Sequence, residues 1–209
     1  MRFNSRDTFV TYGLIAVCAF MFILLTFAGG SSNVRTLVRF GASVTDLVQD
    51  RGEYWRLFTC MFLHSGVMHI LFNSYALLAL GRQAEILFGH GRFLIIYFGA
   101  GLCGSWLSFF LHRHETMVSV GASGAVFGVL GALIAYGWRD RAFWRSGILQ
   151  NFLIIAAINL FIGIMMPRID NSAHLGGLIA GIILGALLRR RIFPPIRRVD
   201  WSNDWGDDR

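Results

Sequence analysis

The chain has 209 residues, of which 55% are hydrophobic and 15% charged. A soluble domain carries about 25% charged residues, so a water-soluble globular protein is excluded and an integral membrane protein is indicated. The net charge of +7 comes from arginine alone, since the sequence has no lysine. These arginines cluster at the ends of apolar runs, where they fix orientation in a bilayer. That placement argues against nucleic-acid binding.

In chain order, apolar runs predict six membrane spans. They cover about residues 9–28, 56–80, 93–111, 118–136, 148–166 and 172–188. The first is too long for a signal-peptide core and reads as an anchor. Residues 1–8 precede it as an N-terminal extension. The loop over 29–53 mixes arginines with Val34, Leu37, Val38 and Phe40, which suggests a structured segment lying in the membrane interface. The tail from 189 to 209 is Arg-rich, broken by Pro194-Pro195, and ends acidic, which predicts flexibility. Six spans nearly fill the chain and leave one domain, 9–188. Cys18, Cys60 and Cys103 fall in apolar segments without metal or redox spacing, so buried, inert thiols are expected.

With six spans, both termini share a side. That side carries Arg2, Arg6, Arg82, Arg92, Arg139, Arg141, Arg145 and the arginines of the tail. The other carries fewer, so the termini are expected in the cytoplasm. Spans two, four and six then run from outside to inside. His64, His69, Ser123 and His174 all fall in their outer halves, at one depth.

Polar groups in hydrocarbon need a partner or a task. A single serine in a membrane helix is more often back-bonded or packed, and a single buried histidine is more often structural. Their shared depth suggests a nucleophile, Ser123, and its base, His174. Glycines support close approach. From His174, Gly177, Gly181 and Gly185 follow near one helix face. The fourth span carries Gly121, Gly124, Gly128 and Gly131. His69 and Asn73, four apart, share a face and can offer N–H donors to an oxyanion, beside the Ser123 backbone N–H. On a continuous helix His64 lies about 140° from His69 and points elsewhere. Asp170 is one turn before His174, but capping of the sixth helix is its expected role. No HExxH pair and no pair of intramembrane aspartates is present. His112-Arg113-His114 reads as an exposed turn, and no metal or cofactor is expected.

At this point the chain resembles the rhomboid intramembrane serine proteases of the compact six-span bacterial type. The matching pieces are Tyr54-Trp55-Arg56, the segment from His64 to Asn73, the segment from Glu85 to Arg92, Gly121-Ala122-Ser123-Gly124, and His174-Leu175-Gly176-Gly177 with Gly181. The resemblance implies an all-α bundle of six transmembrane helices with a membrane-lying first loop containing Trp55 and Arg56. It implies a Ser123–His174 dyad, with His69, Asn73 and the Ser123 backbone N–H around the oxyanion. It implies transmembrane proteins in a lipid bilayer as substrates and a location in the bacterial inner membrane. The family often has a tyrosine four residues after the serine. Phe127 stands here and keeps the ring without the hydroxyl. A related bacterial pattern has a histidine where Cys60 stands. A non-catalytic rhomboid-like binder of membrane helices is the alternative, but such proteins typically lose the serine or the histidine. A small transporter would show midplane ligands and an internal repeat, and neither is found.

Overall fold

The computed structural model describes residues 8–166 and 169–189. The N-terminal extension over 1–7 and nearly all of the expected flexible tail lie outside the described residues. The elements in order are α1 (Phe9–Phe27), α2 (Val34–Arg39), β1 (Ser43–Val44), α3 (Thr45–Arg51), α4 (Arg56–Thr59), α5 (Val67–Ala76), α6 (Arg82–Phe88), α7 (His90–Leu111), β2 (Val118–Ser119), α8 (Ser123–Trp138), α9 (Arg141–Arg145), α10 (Ile148–Met165) and α11 (Asn171–Leu188). A 3-10 turn over Cys60–Phe62 extends α4, and a π turn over Leu77–Gly81 joins α5 to α6.

Among the described residues four helices, α1, α7, α10 and α11, are long and apolar enough to cross a bilayer. The expected second span is not one straight helix from residue 56 to 80. Arg56–Phe62 and Val67–Phe88 meet at a bend of 91°. The cause lies in Ser65-Gly66, where Gly66 takes φ 87°, a conformation open to glycine and costly for other residues. The membrane-length helix is therefore Val67–Phe88, and residues 56–62 belong to the loop side.

The expected fourth span also starts later than residue 118. Val118 and Ser119 form a short strand, antiparallel to β1, pairing Ser43 with Ser119 and Val44 with Val118. The helix begins at Ser123 and has 16 residues, short of the about 20 needed to span hydrocarbon. It has no need to span it against lipid. Gly124 through Gly137 are all buried in the protein, and irregular backbone at membrane depth is tolerated where protein surrounds it. α8 is the central post, packed by α7, α10 and α11.

The packing of α8 on α11 depends on missing side chains. A Cβ on Gly177 would overlap the Gly124 carbonyl, one on Gly181 the Gly128 carbonyl, and one on Gly185 the Ala132 backbone. Backbones this close gain dispersion contacts that bulkier interfaces exclude, which is how helices associate in lipid without a hydrophobic driving force. α7 joins them, with Gly104 against the Ala173 carbonyl.

The segment between α1 and α4 is structured, as its apolar residues suggest. Its organiser is Arg56, which is buried. Its guanidinium donates to the Val38 and Ala42 carbonyls at 2.7 and 3.1 Å and pairs with Glu53 at 2.5 Å. Trp55 lies over the same guanidinium at 4.5 Å. At the other end of the bundle Glu85 accepts from Val10 N–H, Thr11 N–H and the Thr11 hydroxyl, which pins the start of α1. Cys18 and Cys60 are buried, but Cys103 is exposed on α7, on a surface that is apolar because lipid, not protein, would cover it.

Candidate active site

Three helices begin at one place. Ser123 is the first residue of α8, His174 the fourth of α11, and His69 the third of α5. Helix N-termini present unpaired N–H groups and the positive end of the backbone dipole, so an anion between them is favoured.

The turn before Ser123 is held from below by the broken segment after α4. Gly121 N–H donates to the Cys60 carbonyl at 2.9 Å, and Ala122 N–H donates to His64 Nε2 at 3.5 Å. Gly121 has φ 129° and no room for a side chain, because a Cβ there would lie 2.8 Å from His69 Nε2. This glycine lets both the sharp turn and the imidazole exist. Among the described residues Ser123 N–H has no hydrogen-bond acceptor. Ser123 itself is half-buried.

His69 and His64 are neighbours, not divergent. Their rings meet edge to face with centroids 5.1 Å apart. The helical-wheel separation fails because the chain breaks between them at Ser65-Gly66. His64 is fully buried and supports the turn before Ser123 through Ala122. The His69 Nδ1 accepts from Ser65 N–H at 3.3 Å. In a neutral ring that assigns the proton to Nε2, the nitrogen beside Gly121. Asn73 is buried on the same helix and donates one amide hydrogen to the His69 carbonyl at 3.0 Å.

His174 is buried, and its ring lies flat on Phe127, with centroids 4.3 Å apart and planes inclined 14°. Phe127 is one helical turn after Ser123, so the ring stacks within a turn of the serine. Gly124 and Gly177 touch through their backbones, and the Ala173 carbonyl would lie 3.3 Å from a Cβ on Gly124. The chain neighbours of Ser123 and His174 are thus in contact. No hydrogen bond joins Ser123 Oγ to His174 among the described residues. Catalytic hydrogen bonds are often long without substrate and tighten in the complex. Among the described residues His174 Nδ1 is buried without a partner.

Asp170 is not a third member of a triad. Its Oδ1 accepts from Ala173 N–H at 2.9 Å and caps α11, the role its sequence position suggests. Its Oδ2 accepts from the hydroxyls of Ser108 and Ser119, each at 2.6 Å. Those two serines were not legible as site residues. A polar residue near the end of an apolar helix, as Ser108 is in α7 beside Ser105, is the signal they leave. Trp55 and Arg56 lie with the first loop, where Arg56 holds the Val38 and Ala42 carbonyls and Trp55 stacks on its guanidinium.

The fold, the glycine-packed helices and the converging N-termini define a multi-pass membrane protein. Residues 51–191 match the Rhomboid domain family, and the chain belongs to that family. It is 45% identical to the rhomboid protease GluP of Bacillus subtilis (strain 168) over 185 residues, 88% of this chain and 36% of that protein. It is 42% identical to RHOMBOID-like protein 1 of Arabidopsis thaliana over 152 residues, 72% of this chain and 38% of the relative. To RHOMBOID-like protein 6, mitochondrial, of the same plant it is 41% identical over 165 residues, 78% of this chain and 52% of the relative. The chain spans about a third to a half of the length of these relatives.

Proposed function

We propose that the chain is an intramembrane serine endopeptidase that hydrolyses peptide bonds in or near the transmembrane segments of other membrane proteins. The observation that carries this reading is the stacking of His174 on Phe127, one turn from Ser123 at the open N-terminus of α8. A base held beside a nucleophile, with helix N-termini around both, suits acyl transfer. The protease name of the Bacillus relative supports it.

In this mechanism His174 Nε2 takes the proton of Ser123 Oγ as the oxygen attacks the scissile carbonyl. The tetrahedral oxyanion accepts from Ser123 N–H, from His69 Nε2–H and from the second amide hydrogen of Asn73. His174 then protonates the leaving amine. Water, deprotonated by the same imidazole, attacks the ester carbonyl, and Ser123 leaves with its proton restored. No metal or cofactor takes part.

The protease domain spans 9–188 with both termini cytoplasmic, so the site opens toward the outer face. A substrate helix keeps its carbonyls bonded internally and must unwind locally before attack. It enters between α5 and α10. Val67, Met68, Leu71, Phe72 and Tyr75 stand exposed on α5. Asn171 of α11 donates to the Leu160 carbonyl of α10 at 3.5 Å and sits against Gly163. A fluorophosphonate probe tests the reading. It should label wild type and not Ser123→Ala. A protein that binds membrane helices but never labels is the non-catalytic alternative.

A further inference from the structure

His174 lacks the usual means of aiming an imidazole. Among the described residues its Nδ1 has no acceptor, and none of their carboxylates fixes the ring from behind. Two things remain to aim it: the Phe127 face, and the position of the first turn of α11. Stacking fixes the plane of the ring but leaves it free to slide. The glycine contacts between α8 and α11 set how near the helices come. They are dispersion contacts between smooth backbones, and they resist sliding weakly. Directional bonds are needed to fix one segment along the other.

Asp170 supplies such bonds from both sides. Within α11 its carboxylate caps Ala173 N–H, and its carbonyl accepts from His174 N–H at 3.2 Å. Across the fold its Oδ2 receives the Ser119 hydroxyl from β2 and the Ser108 hydroxyl from α7. Hydrogen bonds to an ionised carboxylate are short and about twice as strong as neutral ones. Ser119 is four residues before Ser123, and Asp170 is four before His174. A single carboxylate therefore joins the strand that leads to the serine to the turn that carries the histidine. β2 is anchored in turn on β1, which keeps Ser119 from following a drifting α11.

We propose that Asp170 is a positioning residue for the reaction, setting the register of His174 against Ser123 through Ser119 and Ser108. The proposal rests on the Ser123–His174 reading above. Asp170 touches neither substrate nor the reacting atoms. Its effect falls on the turnover step, since a displacement of about 1 Å can cost about a hundredfold in rate.

The test separates bridge from cap. Ser108→Ala/Ser119→Ala removes the bridge and leaves the cap to Ala173 N–H intact. With a transmembrane reporter in detergent or vesicles, kcat should fall at least about tenfold with KM unchanged. Fluorophosphonate labelling of Ser123 should slow in parallel. Asp170→Ala should fall further and melt lower. Asp170→Asn should recover part of kcat, because its amide still caps with its oxygen and can donate to both hydroxyls. A purely structural role predicts a lower melting temperature with wild-type kcat and labelling well below it, and that result overturns the proposal. Ser123→Ala is measured alongside. If it still cleaves, the dyad reading has failed. If it is dead while the double serine variant equals wild type, only the bridge has failed.

Discussion

The imidazole of His174 lies 4.3 Å from the ring of Phe127 and within 14° of parallel to it. Phe127 is therefore a platform for the ring that, in the proposed mechanism, faces Ser123. Stacked aromatic pairs contribute about 0.5–1.5 kcal/mol beyond burial. Phe127→Ala should slow cleavage by about tenfold with little change in KM. Phe127→Tyr should keep the platform and most of the rate. Steady-state kinetics on a transmembrane reporter checks both, and an Ala variant as fast as wild type would show that the stack is idle.

The proposed oxyanion donors make a second prediction. Loss of one such donor typically costs about 10²–10³ in rate. Backbone N–H groups at the start of α8 remain in any side-chain variant, so His69→Ala and Asn73→Ala should each fall near the lower bound. His69 should matter more, because its Nε2 sits beside Gly121 while one Asn73 hydrogen is spent on the His69 carbonyl. Wild-type kcat in the double variant would place the oxyanion elsewhere.

Gly181→Val probes the approach of α11 to α8. Its side chain would run into the Gly128 backbone, which cannot move as a flexible side-chain tip can. Overpacking of this kind costs about 1–3 kcal/mol. The variant should melt lower and lose about a hundredfold in rate through displacement of His174. Thermal melts and kinetics together decide it. An equally stable, equally active variant would mean that close approach at Gly181 is not needed.

Much of this arrangement is readable in the residues, and the exceptions have physical causes. The apolar runs that become α1, α7, α10 and α11 show because hydropathy averages well over a straight helix. The break at Leu63–Gly66 does not show, because the flanking residues are apolar and one glycine angle decides it. That break brings His64 to His69, where a continuous helix would part them. The serine turn is visible as Gly121-Ala122-Ser123-Gly124, but the strand pairing before it involves only Ser119 and Val118, too short to leave a period. Asp170 is legible as a cap because capping is local. Its bonds to Ser108 and Ser119 cross 62 and 51 residues of sequence, and only the tertiary fold brings them together.

Substrate unwinding gives a further prediction. A reporter whose helix-breaking Gly and Pro residues are replaced by leucine should be cut more slowly, since its backbone carbonyls stay bonded within the helix. Mass spectrometry of the products should place the cut near the outer end of the span, beside small residues. Unchanged cleavage mapped to a cytoplasmic loop would contradict both the orientation and the depth of the site.

The most direct measurement is cleavage of a transmembrane reporter by purified wild type, Ser123→Ala and His174→Ala, each shown to be folded by its melting profile. Product is expected from wild type alone, with fluorophosphonate attached at Ser123 in wild type and at no residue in Ser123→Ala. Full cleavage by either folded variant would contradict a Ser123–His174 mechanism.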